Sequence, residues 1–132
     1  MLQSLKYGLN KVGLPLIVTV GKPNLCLLID TGATHNILFS FVLEVYPSLF
    51  STKNEETSIT GIDGASIIGK QVNGTITIEQ EEVPVEFIVI DASTSISSIQ
   101  DETGIQIHGI LGIPFLTENR WILDFKNLTI SN

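Results

Sequence analysis

One apolar segment of this chain ends in an acidic residue, and this ending constrains the fold more than any other feature. Residues 25–29 predict a short buried strand, and Asp30, Thr31 and Gly32 follow it at once. A carboxylate at the end of such a strand is costly unless hydrogen bonds or a shared proton compensate for its charge. Two carboxyl groups in one site cannot both ionise easily, so a pair can hold and take protons. The sequence contains Asp-Thr-Gly once, so one chain supplies one carboxylate of this kind.

Composition and charge limit the class of protein. The 132 residues are enough for one domain, which we predict to span residues 1–132. The net charge of −7 argues against nucleic acid as a partner, and no run of apolar residues is long enough to cross a membrane. Residues 1–13 match a signal peptide poorly. We therefore expect a soluble, cytoplasmic protein, and release from a larger polyprotein stays open.

Hydrophobic patterning predicts a mostly β chain with two or three short helices. The apolar fraction is 43% and the aromatic fraction only 7%, which favours strands rich in Ile, Val and Leu. Residues 53–56 read as a polar surface turn, and one helical turn is expected before Gly104. The remaining helices are predicted at 39–46 and 114–118, and the strands at 14–20, 25–29, 57–68 (a hairpin), 71–79, 83–90, 107–112, 121–125 and 128–131.

A second motif follows later in the chain, and together with the Asp30 motif it resembles the pattern of a known enzyme family. Residues 109–112 (Gly-Ile-Leu-Gly) form an apolar segment that ends in glycine, and residues 33–38 (Ala-Thr-His-Asn-Ile-Leu) follow the Asp30 motif directly. The combination resembles the retropepsin family, the dimeric aspartic peptidases of retroviruses, retrotransposons and their cellular relatives. The resemblance covers residues 14–125. It implies a closed β-barrel-like acid protease fold in which each chain supplies half of the active site.

The resemblance also implies roles for the residues of the Asp30 loop. Asp30 would be the catalytic aspartate, contributed once by each subunit. Thr31 would form a hydrogen bond across the twofold axis, and the Gly32 carbonyl would meet the substrate backbone. Ala33 and Thr34 would line the substrate cleft.

A glycine-rich segment is expected to act as the flap that closes over a bound peptide. By the same resemblance, this flap tip and its substrate contacts comprise Gly61, Ile62, Asp63 and Gly64. A mobile tip suits a lid that opens for substrate and excludes water when it is shut. An ordinary exposed hairpin turn is the alternative interpretation.

The sequence departs from the retroviral members at two positions. In those members the residue two after the motif glycine is often Asp, paired with an Arg just past the second glycine. Here these positions are Thr34 and Ile113. Both halves of the ion pair are absent together, so neither charge is left alone.

The sequence thus predicts an aspartic endopeptidase in which two Asp30 carboxylates activate a water molecule at a homodimer interface. The expected partners are a peptide or protein substrate and a second copy of the chain. No cofactor or metal is expected, because His35 and His108 are far apart in sequence and have no acidic or cysteine cluster around them. The other four aspartates are not followed by Thr-Gly or Ser-Gly, which argues against a second catalytic group within one chain: Asp63, Asp91, Asp101 and Asp124.

Three alternatives stay open at the level of sequence. Asp30 could simply end a strand in a turn. The chain could be a catalytically weak or inactive module of the same fold, used for dimerisation or peptide binding. It could also be a monomeric β domain that binds peptides by strand addition. The C-terminal strands are expected in the dimer interface, or else as an edge hairpin packed on their own subunit.

Overall fold

The chain folds into two sheets and several short helices. The computed structural model describes residues 1–60, 64, 66–91 and 93–132, without the side chains at 54, 60 and 93–96. The prediction of a mostly β chain is confirmed, with four α-helices in the described residues instead of two or three. The helices are α1 (Lys6–Val12), α2 (Ser40–Val45), α3 (Ser93–Thr103) and α4 (Ile113–Glu118). The strands are β1 (Leu2–Ser4), β2 (Leu16–Val18), β3 (Cys26–Ile29), β4 (Ile37–Phe39), β5 (Phe50–Thr60), β6 (Ser66–Ile78), β7 (Glu81–Ile90), β8 (Gly109–Leu111), β9 (Ile122–Asp124) and β10 (Thr129–Ser131).

The larger sheet has seven strands in the order β2-β3-β8-β4-β7-β6-β5. β2 and β3 form the predicted antiparallel hairpin, and β3 then pairs in parallel with β8, a strand from much later in the chain. β4 lies on the other side of β8 and also pairs in parallel with the end of β7. The two strands that carry the sequence motifs, β3 and β8, are therefore direct neighbours near one end of the sheet.

The strand pairing among the described residues does not close the larger sheet into a barrel, because β2 and β5 remain its edge strands. One backbone hydrogen bond of 2.8 Å joins Val20 N–H, just after β2, to the carbonyl of Thr77 in β6. The two ends of the sheet therefore approach each other, but full closure stays a prediction.

The smaller sheet joins both ends of the chain in the order β1-β10-β9. The predicted C-terminal hairpin is present, and β1 of the same chain pairs with it. Ile130 faces inward and is almost fully buried, whereas Leu2 and Ile122 are about 60% exposed on the outer side. One chain thus covers one face of this hairpin itself, and the place of the hairpin in a dimer interface stays a prediction.

Two clusters of buried side chains form the core. The main cluster includes Leu27 of β3, Leu111 of β8 and Phe115 of α4, so the strands of both motifs are anchored in it. The second cluster lies around Leu16, Phe39 and Ile107. Within the ranges described above, no helix is long and apolar enough to cross a membrane.

Several local predictions differ from the structure, which also contains two strands that were not predicted, β1 (Leu2–Ser4) and β4 (Ile37–Phe39). The sequence did not predict α1, because Gly8 interrupts its pattern; Gly8 is buried so closely against Leu14 and Leu16 that a Cβ would lie 2.4 Å from the Leu14 carbonyl oxygen. Residues 53–56 were predicted as a turn but belong to β5, where the register with β6 shifts between Thr52 and Glu56. α3 spans three helical turns instead of one.

Candidate active site

Asp30 lies where β3 leaves the larger sheet beside β8. Its N–H donates a 3.0 Å hydrogen bond to the carbonyl of Leu111, one step beyond the last register pair, Ile29 with Leu111. The backbone of Asp30 is therefore fixed by the parallel partner strand, while the residue itself is half-buried at the surface. A strand end of this kind holds the carboxylate at the surface on a rigid base.

The Asp30 side chain is oriented by the turn that follows it. The N–H of Gly32 donates a 2.9 Å hydrogen bond to Asp30 Oδ1, and the N–H of Ala33 donates one of 3.2 Å to the Asp30 carbonyl. Within the described part of the chain, Asp30 Oδ2 and the exposed Thr31 hydroxyl have no hydrogen-bond partner. One carboxylate oxygen is thus held by the backbone, and the other can accept a water molecule or carry a proton.

A buried amide ties the Asp30 loop to the second glycine motif. Asn36 is only 6% exposed. Its Oδ1 accepts a 2.9 Å hydrogen bond from Gly112 N–H, and its Nδ2 donates a 3.2 Å hydrogen bond to the Glu86 carbonyl. The Asn36 carbonyl also accepts from Ile88 N–H at 2.8 Å. Asn36 therefore connects three segments, a role that the sequence reasoning did not assign to it.

Both glycines of the second motif are required by close backbone contacts. A Cβ on Gly112 would lie 2.5 Å from the His35 carbonyl oxygen and 2.6 Å from that of Ala33. A Cβ on Gly109 would lie 2.4 Å from the Ile37 carbonyl oxygen. Real side chains do not approach backbone atoms so closely, so these glycines allow the Asp30 loop and β4 to pack directly on β8.

Neutral contacts surround the positions where an ion pair is missing. Ile113 N–H donates a 2.9 Å hydrogen bond to the Ala33 carbonyl, while the Ile113 side chain is 40% exposed. Thr34 is exposed, and its Oγ1 lies 3.0 Å from His35 Nδ1. The loop is thus joined to the start of α4 by backbone bonds and the Asn36 amide.

The predicted flap is only partly covered by the structure. Gly61, Ile62 and Asp63 lie outside the described residues, and Gly64 is exposed with a φ of +82°. β5 and β6 pair up to Thr60 with Ser66, whereas β6 pairs with β7 only from Lys70 onward. The hairpin that carries the predicted tip therefore extends beyond β7.

His108 supports the start of the β3–β8 pair. The ring nitrogen Nδ1 of His108 accepts a 2.9 Å hydrogen bond from the backbone N–H of Cys26. The backbone N–H of His108 donates a hydrogen bond of 2.9 Å to the Cys26 carbonyl. Burial lowers the pKa of His108 and raises the pKa of the Cys26 thiol. A neutral imidazole and a protonated thiol are the forms that this half-buried position favours.

Asp124, another aspartate at the end of a strand, lies outside this site. The Asp124 carboxylate accepts hydrogen bonds from the backbone N–H groups of Lys126 and Asn127 and closes the turn after β9. Among the residues that the structure describes, no three His, Cys, Asp or Glu side chains come together as metal ligands.

Comparison with known proteins supports one fold. No protein-family model matches the sequence, and no curated protein matches it either. The structure is similar to the EIAV protease complexed with the inhibitor HBY-793, with a TM-score of 0.61 and 19% identity over 84% of this chain and 92% of that one. It is also similar to the retroviral protease-like domain of Ddi1 from Leishmania major, with a TM-score of 0.56 and 15% identity over 91% and 92% of the two chains. This chain therefore has the retropepsin-like fold.

Proposed function

We propose that this chain is an aspartic endopeptidase that is active as a homodimer, with one Asp30 from each subunit. The observation that carries the proposal is the way in which the backbone holds the Asp30 carboxylate. One of its oxygens is held at 2.9 Å by Gly32 N–H, and the rigid β3–β8 pair fixes the backbone below it. A carboxylate that merely closed a turn would not need a parallel strand, a buried amide and two crowded glycines to hold its loop.

The proposed mechanism uses the two carboxyl groups in different protonation states. One Asp30 is ionised and takes a proton from a water molecule held between the two side chains. The Asp30 of the other subunit is protonated and donates its proton to the carbonyl oxygen of the scissile peptide bond as the tetrahedral intermediate forms. Collapse of the intermediate transfers a proton to the leaving amine and breaks the C–N bond. The pair can do this because like charges at one site favour a shared proton.

The other proposed roles follow the geometry around Asp30. The exposed Thr31 hydroxyl is available to the second subunit, and the exposed Gly32 leaves room for a substrate backbone. Ala33 and Thr34 lie beside this opening. The hairpin of β5 and β6 would cover the peptide through the tip at residues 61–64, and we expect the ends of the larger sheet to close around a barrel-like core.

Proteolysis of an unfolded protein tests the proposal directly. Wild type, Asp30→Asn and Asp101→Asn are incubated with unfolded casein between pH 4 and 7, and the products are measured by mass spectrometry. Asn at position 30 can still accept the hydrogen bond from Gly32, so the fold should be kept. Asp101 is an exposed aspartate of α3 and serves as the matched control. We expect Asp30→Asn to lose at least about a hundredfold in rate and Asp101→Asn to match wild type.

The possible outcomes separate enzyme from module. Equal cleavage by all three proteins would show that a contaminant is responsible and would overturn the proposal. Peptide binding without cleavage by wild type would identify a binding module of the same fold. Sedimentation of the free protein over a range of concentrations tests the dimer, and a strict monomer with full activity would contradict the shared site.

A further inference from the structure

A half-open cavity lies next to the Asp30 loop, on the side of the larger sheet that α4 covers. Its volume is about 340 Å³. Its lining includes Asn36, at the end of the loop, Ile88 of β7, Thr57 of β5 and Gln71 of β6. The rest of the lining consists of His35, Glu86, Pro114 and Glu118.

We infer that this cavity binds a lysine or arginine side chain of the peptide substrate, several residues from the scissile bond. The inference rests on the proposed function, because it places a peptide in the cleft beside Asp30. His35 is five positions after Asp30, and even a fully extended chain spans only about 18 Å over five such steps. A side chain about five residues or fewer from the scissile bond can therefore reach the cavity.

The lining matches a long apolar side chain that ends in a cation. Ile88 is buried and Pro114 is half-buried, so they offer apolar surface for the methylene groups. Gln71 Nε2 donates a 2.8 Å hydrogen bond to Thr57 Oγ1, and Gln71 Oε1 has no hydrogen-bond partner within the described part of the chain, so it can accept one from a ligand. Lysine and arginine bury their aliphatic stems in this way while the charged group reaches acceptors.

The charge of the cavity favours a cation over an anion or a neutral group. Among the described residues, its lining contains two carboxylates and no lysine or arginine. Glu86 already pairs with Lys53 at 3.3 Å, outside the lining. Glu118 has no ion-pair partner among the described residues, so its charge is available to a ligand. Glu118 is exposed at the rim, which suits a specificity contact better than a structural one.

The test is a comparison of cleavage specificities. Wild type, Glu118→Gln and Glu82→Gln digest a degenerate decapeptide library, and mass spectrometry reads the residues around each cleaved bond. Glu82 is an exposed glutamate of β7 outside the cavity and controls for net charge. We expect wild type to favour Lys and Arg over Gln about three- to tenfold at one position within five residues of the cleaved bond. The preference should fall below about twofold in Glu118→Gln, stay unchanged in Glu82→Gln, and weaken in high salt.

A binding measurement separates failure of this inference from failure of the proposed function. The Asp30→Asn protein, with and without Glu118→Gln, is applied to an array of decapeptides in which each position is fixed in turn as Lys, Arg, Gln or Glu. Stronger binding to Lys and Arg at one position, lost with Glu118→Gln, supports the cavity even if wild type cleaves nothing. No preference for cations in either experiment, or an equal preference in the Glu118→Gln protein, would overturn it.

Discussion

Removal of the Asn36 amide should destabilise the protein far more than removal of an exposed amide. In Asn36→Ala, the buried Gly112 N–H loses its 2.9 Å acceptor and the Glu86 carbonyl loses its 3.2 Å donor. Each polar group left without a partner in such a place costs about 1–3 kcal/mol. The two together predict a loss of about 2–6 kcal/mol in the free energy of unfolding. That is a large part of the roughly 5–15 kcal/mol that stabilises an ordinary domain.

Urea unfolding measures this loss. Wild type, Asn36→Ala and Asn10→Ala are compared at one fixed protein concentration, because a dimer would make the midpoint depend on concentration. With an m-value of about 2 kcal/mol/M, a loss of 2 kcal/mol lowers the midpoint by about 1 M. Asn10 is exposed on α1, so its change to Ala should alter stability by no more than about 0.5 kcal/mol.

The difference in unfolding free energy between Asn36→Ala and Asn10→Ala decides whether Asn36 holds the Asp30 loop. If Asn36→Ala unfolds within about 0.5 kcal/mol of Asn10→Ala at an unchanged m-value, then Gly112 and Glu86 do not depend on the amide. The claim that Asn36 holds the Asp30 loop would then be wrong. A loss in the predicted range together with reduced cleavage of casein would connect the stability of the loop to the proposed activity.

Two further predictions concern Gly112 of the second motif and His108, the residue just before that motif. Gly112→Ala places a Cβ against the carbonyl oxygens of His35 and Ala33. We expect it to lower the free energy of unfolding, measured in urea, by about 1–3 kcal/mol or to prevent folding. An unchanged midpoint would show that the loop can move away from the added methyl group. His108 has a lowered folded-state pKa, so its contribution to stability is fully present above its ordinary pKa of 6.5 and is lost as the pH falls below that value. Urea unfolding between pH 7.5 and 5 should show this loss for wild type, and His108→Asn, which keeps an acceptor without titrating, should flatten the curve; equal slopes for both proteins would refute the assignment.

Local pattern was sufficient for much of the framework around the site. The β2–β3 hairpin, β7 and α4 were predicted because their signals are short-range: apolar residues beside turn residues, and Pro114 in the first turn of a helix. Among the described residues, Pro84 pairs with Thr75 of β6, and β4 joins β7 on the other side at Ile88–Ile90, so this proline lies at a local edge, where prolines in sheets are usually found. The residues that determine these elements lie within a few positions of one another in the sequence.

Features decided by distant contacts were not predictable in the same way. α1 contains a glycine that lowers helix propensity, and this glycine is explained only by its contact with Leu14 and Leu16 after folding. Residues 53–56 have the composition of a turn, yet an edge strand tolerates charged side chains and a shift in register, so they continue β5. Asn36 gave one usable signal, a polar amide directly before the apolar residues Ile37 and Leu38.

The uncharged residues at positions 34 and 113 and the buried Asn36 amide are consistent with one physical explanation. A charged pair at this crossing would have to overcome the cost of removing two ions from water, whereas a neutral amide that satisfies one N–H and one carbonyl does not. The amide and the bonds from Asp30 to Leu111 and from Ile113 to Ala33 all lie within one chain. The shape of the Asp30 loop is therefore set before any second chain is present. What a second subunit would add, under the proposed function, is the other carboxylate.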